Sequence, residues 1–230
     1  MNEQKTYRQP FNKHPGATEL LLVRHGQSRA ASLERPYDLV NGQGDPELSP
    51  EGVQQAEHLA DRLVHQKIDA LYVTNLKRTA ETAAPLVRRT KLEPQVEADL
   101  REVHLGDWEG GLFGVKAAES DPVFLEMLNQ GEWGVIPGGE STEALRSRIQ
   151  AALKRISKGH PDQTVMIVSH GGVIGQILSL ATGARPFAFR YLDNSSISRV
   201  ILAGEEMRVR SVNDTSHIGH TFSSEAAPPT

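Results

Sequence analysis

Apolar residues recur along this chain in two alternating patterns. Short unbroken runs, Leu20-Leu21-Leu22-Val23, Ala70–Val73 and Val165-Met166-Ile167-Val168, have the length of strands buried on both faces. Elsewhere the apolar positions move to a spacing of three and four. Val53, Ala56, Leu59, Ala60, Leu63 and Val64 mark one helical face behind Ser49-Pro50-Glu51, where Ser caps and Pro suits the first turn. A second helix is expected from about Leu76 to Arg89, with Thr74 or Asn75 as its cap, then a short strand near Val96. A third is capped by Ser141 and turns Leu145, Ile149, Ala152, Leu153 and Ile156 inward. The strand at 164–168 leads into a helix from about Gly172 to Ala181, stopped near Gly183, and strands follow at about 196–202 and 207–212. Strands alternating with helices predict a mostly parallel sheet inside a three-layer α/β/α sandwich. The strand near 196–202 reads as an edge that could pair with a second copy, so a homodimer is one expectation.

Two stretches break the pattern. Gln27 to Leu48 reads as a long loop. From Leu100 to Gly139 glycine recurs, with a short helical stretch around Phe124–Leu128, and residues 103–139 are expected to form an irregular insertion over a site. The domain then spans 18–218, between a flexible polar arm at 1–17 and a disordered tail at 219–230.

Composition narrows the function classes. The chain has 230 residues, 38% hydrophobic and 23% charged, as in ordinary globular proteins. A formal charge of −4 lacks the basic balance of a nucleic-acid binder. With no cysteine, disulfides and thiolate metal sites are excluded. Residues 1–17 do not resemble a secretory signal, and no apolar stretch has membrane-spanning length, so a cytoplasmic location without membrane attachment is expected.

Candidate chemistry lies at the strand ends. The first run ends in Arg24-His25-Gly26-Gln27 and the later one in the near-copy Ser169-His170-Gly171-Gly172. Open α/β sheets collect ligands at such ends. Arg78, just inside a helix that follows a strand, and Glu102, in Arg101-Glu102-Val103-His104, complete the set. Two arginines and two histidines at strand C-termini make an oxyanion pocket, because the guanidinium fork suits phosphate oxygens. Trp108 and Trp133 are expected to be packing residues, and His217 and His220 to belong to the tail.

In order along the chain stand Arg24-His25-Gly26, Asp45-Pro46-Glu47-Leu48-Ser49-Pro50-Glu51-Gly52, Lys77-Arg78-Thr79-Ala80-Glu81-Thr82-Ala83, Arg101-Glu102, Pro137-Gly138-Gly139-Glu140-Ser141 and Ser169-His170-Gly171-Gly172. This set resembles the histidine phosphatase superfamily, in its phosphoglycerate-mutase-like branch. The resemblance implies that His25 is a nucleophile that becomes phosphorylated. It implies that Arg24, Arg78 and His170 hold the phosphoryl group, and that Glu102 is general acid and then base. Gly26, Gln27, Ser28 and Gly171 would contribute phosphate contacts, with no cofactor and no metal. The expected partners are a small phosphorylated substrate and inorganic phosphate as product. Where the mutases of this branch usually carry Glu and Asn, this chain has Gln27 and Ala31. Those departures favour a phosphomonoester hydrolase over a cofactor-dependent phosphoglycerate mutase; a silent phosphate-binding protein is the third reading.

Overall fold

A computed structural model describes residues 14–219. Six strands form one sheet in the order β5-β4-β6-β1-β7-β8. They are β1 (Thr18–Arg24), β4 (Ala70–Val73), β5 (Pro94–Val96), β6 (Thr164–Ser169), β7 (Ile197–Ala203) and β8 (Glu206–Asp214). The first four in space are mutually parallel; β7 alone runs against them, antiparallel to both β1 and β8. The small pair β2 (Leu39–Val40) and β3 (Gln43–Gly44) lies apart.

Every residue of β1 is buried, because helices cover both faces of the sheet. Its alternating side chains enter two cores. Leu20 and Leu22 point to one, with Ile149 and Leu153 of α5 (Thr142–Gly159) and Ile174 and Ile177 of α6 (Gly171–Thr182). Leu21 and Val23 point to the other, with Leu59 and Leu63 of α1 (Pro50–Leu63) and Leu86 of α2 (Lys77–Thr90). Each fully buried aliphatic side chain stabilises the fold by roughly 2 kcal/mol of transfer free energy. This is the expected three-layer sandwich.

The structure revises several local expectations. The strand at 197–203 is internal to the sheet, between β1 and β8, so it offers no free edge; β8 is the edge. The 27–48 loop contains the β2–β3 hairpin, turned at Asn41 and Gly42, both at positive φ, as a two-residue hairpin turn requires. The expected cap of α2 is also different. Leu76 takes the cap position without a side-chain bond, and Asp45 Oδ1, 32 residues back, accepts the Lys77 N–H at 2.8 Å.

The insertion holds more helix than its sequence suggests: α3 (Leu112–Ala118) and α4 (Pro122–Gln130), with 3-10 turns at Gly106–Gly111 and Trp133–Val135. Phe113 is the centre of an aromatic cluster, with ring centroids 6.1 Å from Trp108, 5.7 Å from Phe124 and 6.0 Å from Trp133. At the termini, Ala17 is fully buried and the Gly16 N–H donates to Asp162 Oδ1, so residues 16–17 are anchored. The rest of the expected arm, residues 1–13, and of the expected tail, residues 220–230 with His220, lie outside the described residues. His217 packs against the domain: it is half-buried and its Nδ1 accepts from Arg62 at 3.1 Å.

Candidate active site

Strand register brings the two histidines together. β1 and β6 pair in parallel up to Arg24 opposite Ser169, so His25 and His170 leave adjacent strands at the same level. The His25 N–H donates to Ser169 O at 2.9 Å, and the imidazole centroids lie 5.1 Å apart. Both histidines are fully buried, and Arg24, Arg78 and Glu102 nearly so.

Hydrogen bonds fix the protonation of His25. Its Nδ1 lies 2.7 Å from Gly26 O, a pure acceptor, so Nδ1 carries the proton. Arg78 Nε, a pure donor, meets His25 Nε2 at 3.3 Å. The Nε2 lone pair therefore faces the site, with a guanidinium beside it. Arg78 projects from the first turn of α2, where its other end donates to Gly44 O and lies 3.9 Å from Asp45 Oδ1. Arg24 donates to Leu192 O. Burial lowers the Arg24 pKa to about 10, which still leaves a cation at neutral pH.

His170 caps α6, and its Nε2 lies 3.0 Å from Thr74 Oγ1 at the end of β4. Its Nδ1 is buried without a hydrogen-bond partner among the described residues. Burial, reinforced by the Arg78 cation and His25, holds the His170 pKa well below the ordinary range, so its imidazole is neutral. Glu102 Oε1 accepts from its neighbour Val103 N at 2.9 Å, and Oε2 from Gly172 N at 3.4 Å. Burial raises its pKa, against the pull of those N–H donors and of Arg78 and Arg24.

The two glycines after His170 serve this packing. A Cβ on Gly172 would lie 2.7 Å from Glu102 Oε1, while one on Gly171 would reach contact with Arg24 Nε at 3.4 Å. The Gly26 and Gln27 N–H groups are already engaged by Thr82 Oγ1 at 2.9 Å and Gln55 Oε1 at 2.8 Å. The Gln27 side chain accepts from Ser49 Oγ. The N–H groups of these two are thus not turned into the site, whereas Ser28 Oγ is buried and without a hydrogen-bond partner among the described residues.

Several residues that sequence reasoning passed over support the five. Thr74 orients His170. Asn194 Nδ2 donates to His25 O at 3.1 Å, and the Ser195 N–H, from a backbone at φ 62, donates to Arg24 O and His25 O. Arg148 donates to the carbonyls of Asp99, Arg101 and Glu102 and is held by Glu140, which explains the Glu of the Pro137–Ser141 motif. In the Lys77–Ala83 motif every polar side chain after Lys77 is engaged. Arg78 meets His25, Thr79 meets Thr74, Glu81 accepts Leu48 N and Thr82 accepts Gly26 N. No three His, Asp or Glu side chains among the described residues are grouped to hold a metal.

A buried imidazole whose Nε2 faces a guanidinium, a second arginine, a second histidine and a carboxyl whose pKa burial raises define a phosphoryl-transfer site. The sequence model of the histidine phosphatase superfamily (branch 1) matches residues 20–215, and the chain belongs to that superfamily. Phosphoglycerate mutase-like protein 4 of Arabidopsis thaliana is 36% identical over 210 residues, 88% of each chain. The metal-independent phosphoserine phosphatase of Arabidopsis thaliana is 32% identical over 206 residues, covering 87% of this chain and 83% of the other. Among solved structures, the mycobacterial glucosyl-3-phosphoglycerate phosphatase Rv2419c in complex with inorganic phosphate superposes with a TM-score of 0.69. It is 26% identical, and 86% of this chain and 98% of the other are covered.

Proposed function

We propose that this protein hydrolyses phosphomonoesters of small metabolites through a phosphohistidine on His25, without metal. The observation that carries the reading is the hydrogen-bond pattern of His25: Nδ1–H on Gly26 O leaves Nε2 as the nucleophilic lone pair, beside Arg78. A phosphoryl group arriving at Nε2 takes over the Arg78 N–H and enters the field of Arg24. Those cations offset the charge on its equatorial oxygens. His170 stays neutral: in the Nδ1–H tautomer its Nε2 accepts from Thr74 Oγ1. Its Nδ1–H, without a partner among the described residues, serves as a hydrogen-bond donor to a phosphoryl oxygen, with no proton transferred.

His25 Nε2 attacks phosphorus, the P–O ester bond breaks, and the leaving oxygen takes the Glu102 proton. The Glu102 carboxylate then takes a proton from water as that water attacks phosphorus. The P–N bond breaks, phosphate leaves, and both groups return to their starting states. Burial keeps Glu102 protonated to higher pH than an exposed carboxyl. Relatives named as phosphatases and as mutases both match this chain, so the choice between them rests on the residues. Ala31 and Gln27, with Gln27 bonded to Ser49, support hydrolysis. Phosphate release from p-nitrophenyl phosphate in excess chelator tests the reading. Undiminished release is expected, and dependence on added metal would overturn it.

A further inference from the structure

Beside the phosphoryl site lies a small cavity that shares Arg78 and Glu102 with it. We propose that this cavity selects an uncharged leaving group, a benzyl-type aromatic or compact apolar alcohol, and excludes carboxylate-bearing phosphoesters. The inference rests on the phosphatase reading and deepens it.

The lining is apolar on most sides. Tyr37, Trp108 and Phe113 contribute rings, and Pro46, Leu105 and Ala31 contribute aliphatic surface. Arg78 is the one cation among its described lining residues, and the transferring phosphoryl group already needs it. Among the remaining polar side chains Gln43 Oε1 and Glu109 are acceptors, the Tyr37 hydroxyl is spent on Arg29 O at 2.8 Å, and the Trp108 indole N–H is a neutral donor. Gln43 is 2% exposed; its Nε2 donates to Glu102 O at 2.8 Å, which fixes the amide orientation, and its Oε1 is buried with no partner among the described residues. Glu109 accepts the Gly44 and Leu105 N–H groups at 2.7 and 2.8 Å, so it is fixed in place.

A leaving group with its own carboxylate would face the acceptors Gln43 and Glu109 with no spare cation among the lining residues, Arg29 behind Tyr37 being held by Glu47. Such mismatches discriminate more strongly than a lost apolar contact. A cationic leaving group fares no better. The Arg29 guanidinium already stands over the Tyr37 ring at 4.9 Å, and Arg78 lines the same cavity. Ala31, at the position where the branch's mutases carry Asn, adds no donor.

The test compares kcat/KM of the wild-type protein on benzyl phosphate, phosphoserine and phosphocholine. All three leaving groups are poor alcohols, so chemistry alone does not separate them widely. Benzyl phosphate is expected to lead both others by at least about 10-fold, as for one well-filled apolar pocket. Ala31→Arg places a cation at the cavity and should raise the phosphoserine-to-benzyl ratio by about 10-fold or more. Phosphoserine or phosphocholine matching benzyl phosphate, or a ratio unmoved by Ala31→Arg, would overturn the subsite and leave the phosphatase reading standing. No phosphate release from any ester, p-nitrophenyl phosphate included, would overturn both.

Discussion

The strand-end site and the cover above it are built by different rules. The site is polar, fully buried and set by sheet register: His25 and His170 meet because β1 and β6 pair in parallel to their last residues. The cover, residues 103–139, is held by aromatic packing around Phe113 and lines the cavity beside the site with residues between Val103 and Gly114. Glu102 stands immediately before it in the chain. Rigid register can hold a nucleophile; a cluster of rings can be re-shaped around different leaving groups while the site below stays intact. Reaction and selectivity are therefore separable in this molecule, and substitutions should separate them.

The largest effect is expected at the centre of the site. His25→Ala removes the nucleophile and should lower kcat on p-nitrophenyl phosphate by at least about 10⁴, with the unfolding temperature little changed. Trp133→Ala should do the opposite. Trp133 packs between Phe113 and Phe187, whose ring lies 4.7 Å away, and does not line the cavity. Its loss should cost about 3–5 kcal/mol of stability by urea unfolding while leaving kcat within about threefold where the protein is folded.

Glu102→Gln tests where the two regions join. Loss of the acid should lower kcat by about 10²–10³ on benzyl phosphate, and much less on p-nitrophenyl phosphate, whose leaving group needs little protonation. Because burial raises the Glu102 pKa, its acid form is lost only as pH rises through that raised value. The wild-type alkaline limb on benzyl phosphate should therefore lie above the usual Glu range, and Glu102→Gln should flatten it.

The smallest effect belongs to neither region. His217 has its pKa lowered to about 4 by burial and the Arg62 cation, against about 6.5 when unfolded. The fold favours the neutral imidazole, so this stability is present above about pH 6.5 and lost as pH falls towards 4. Half-exposure reduces the effect to about 1–2 kcal/mol. Urea midpoints at neutral and acid pH should show that loss in the wild type and not in His217→Asn.

The five central residues were legible because each sits in a short motif beside an apolar run or a helix start. The supporting residues were not, because their roles depend on contacts far apart in sequence. Asp45 caps α2 from 32 residues away, and Arg148 holds the backbone of Glu102 from α5. Thr74 lay in view as a cap residue, but its hydroxyl serves His170, which only the β4–β6 pairing reveals. The cover misled for another reason. Leu112-Phe113-Gly114-Val115 contains a glycine and is short, so α3 has no clear helical signature and owes its form to the ring cluster. The edge expected near 196–202 failed because a strand's neighbours are set by topology and not by its own residues.

The central claim is that phosphate passes through His25. Mixing enzyme with p-nitrophenyl phosphate, quenching in alkali within the first turnover and weighing the peptides tests it directly. The expected result is a gain of about 80 Da, one phosphoryl group, on the segment bearing His25, labile to acid, formed at least as fast as kcat and absent in His25→Ala. Steady release of phosphate with no phosphorylated His25 at any time point would contradict it.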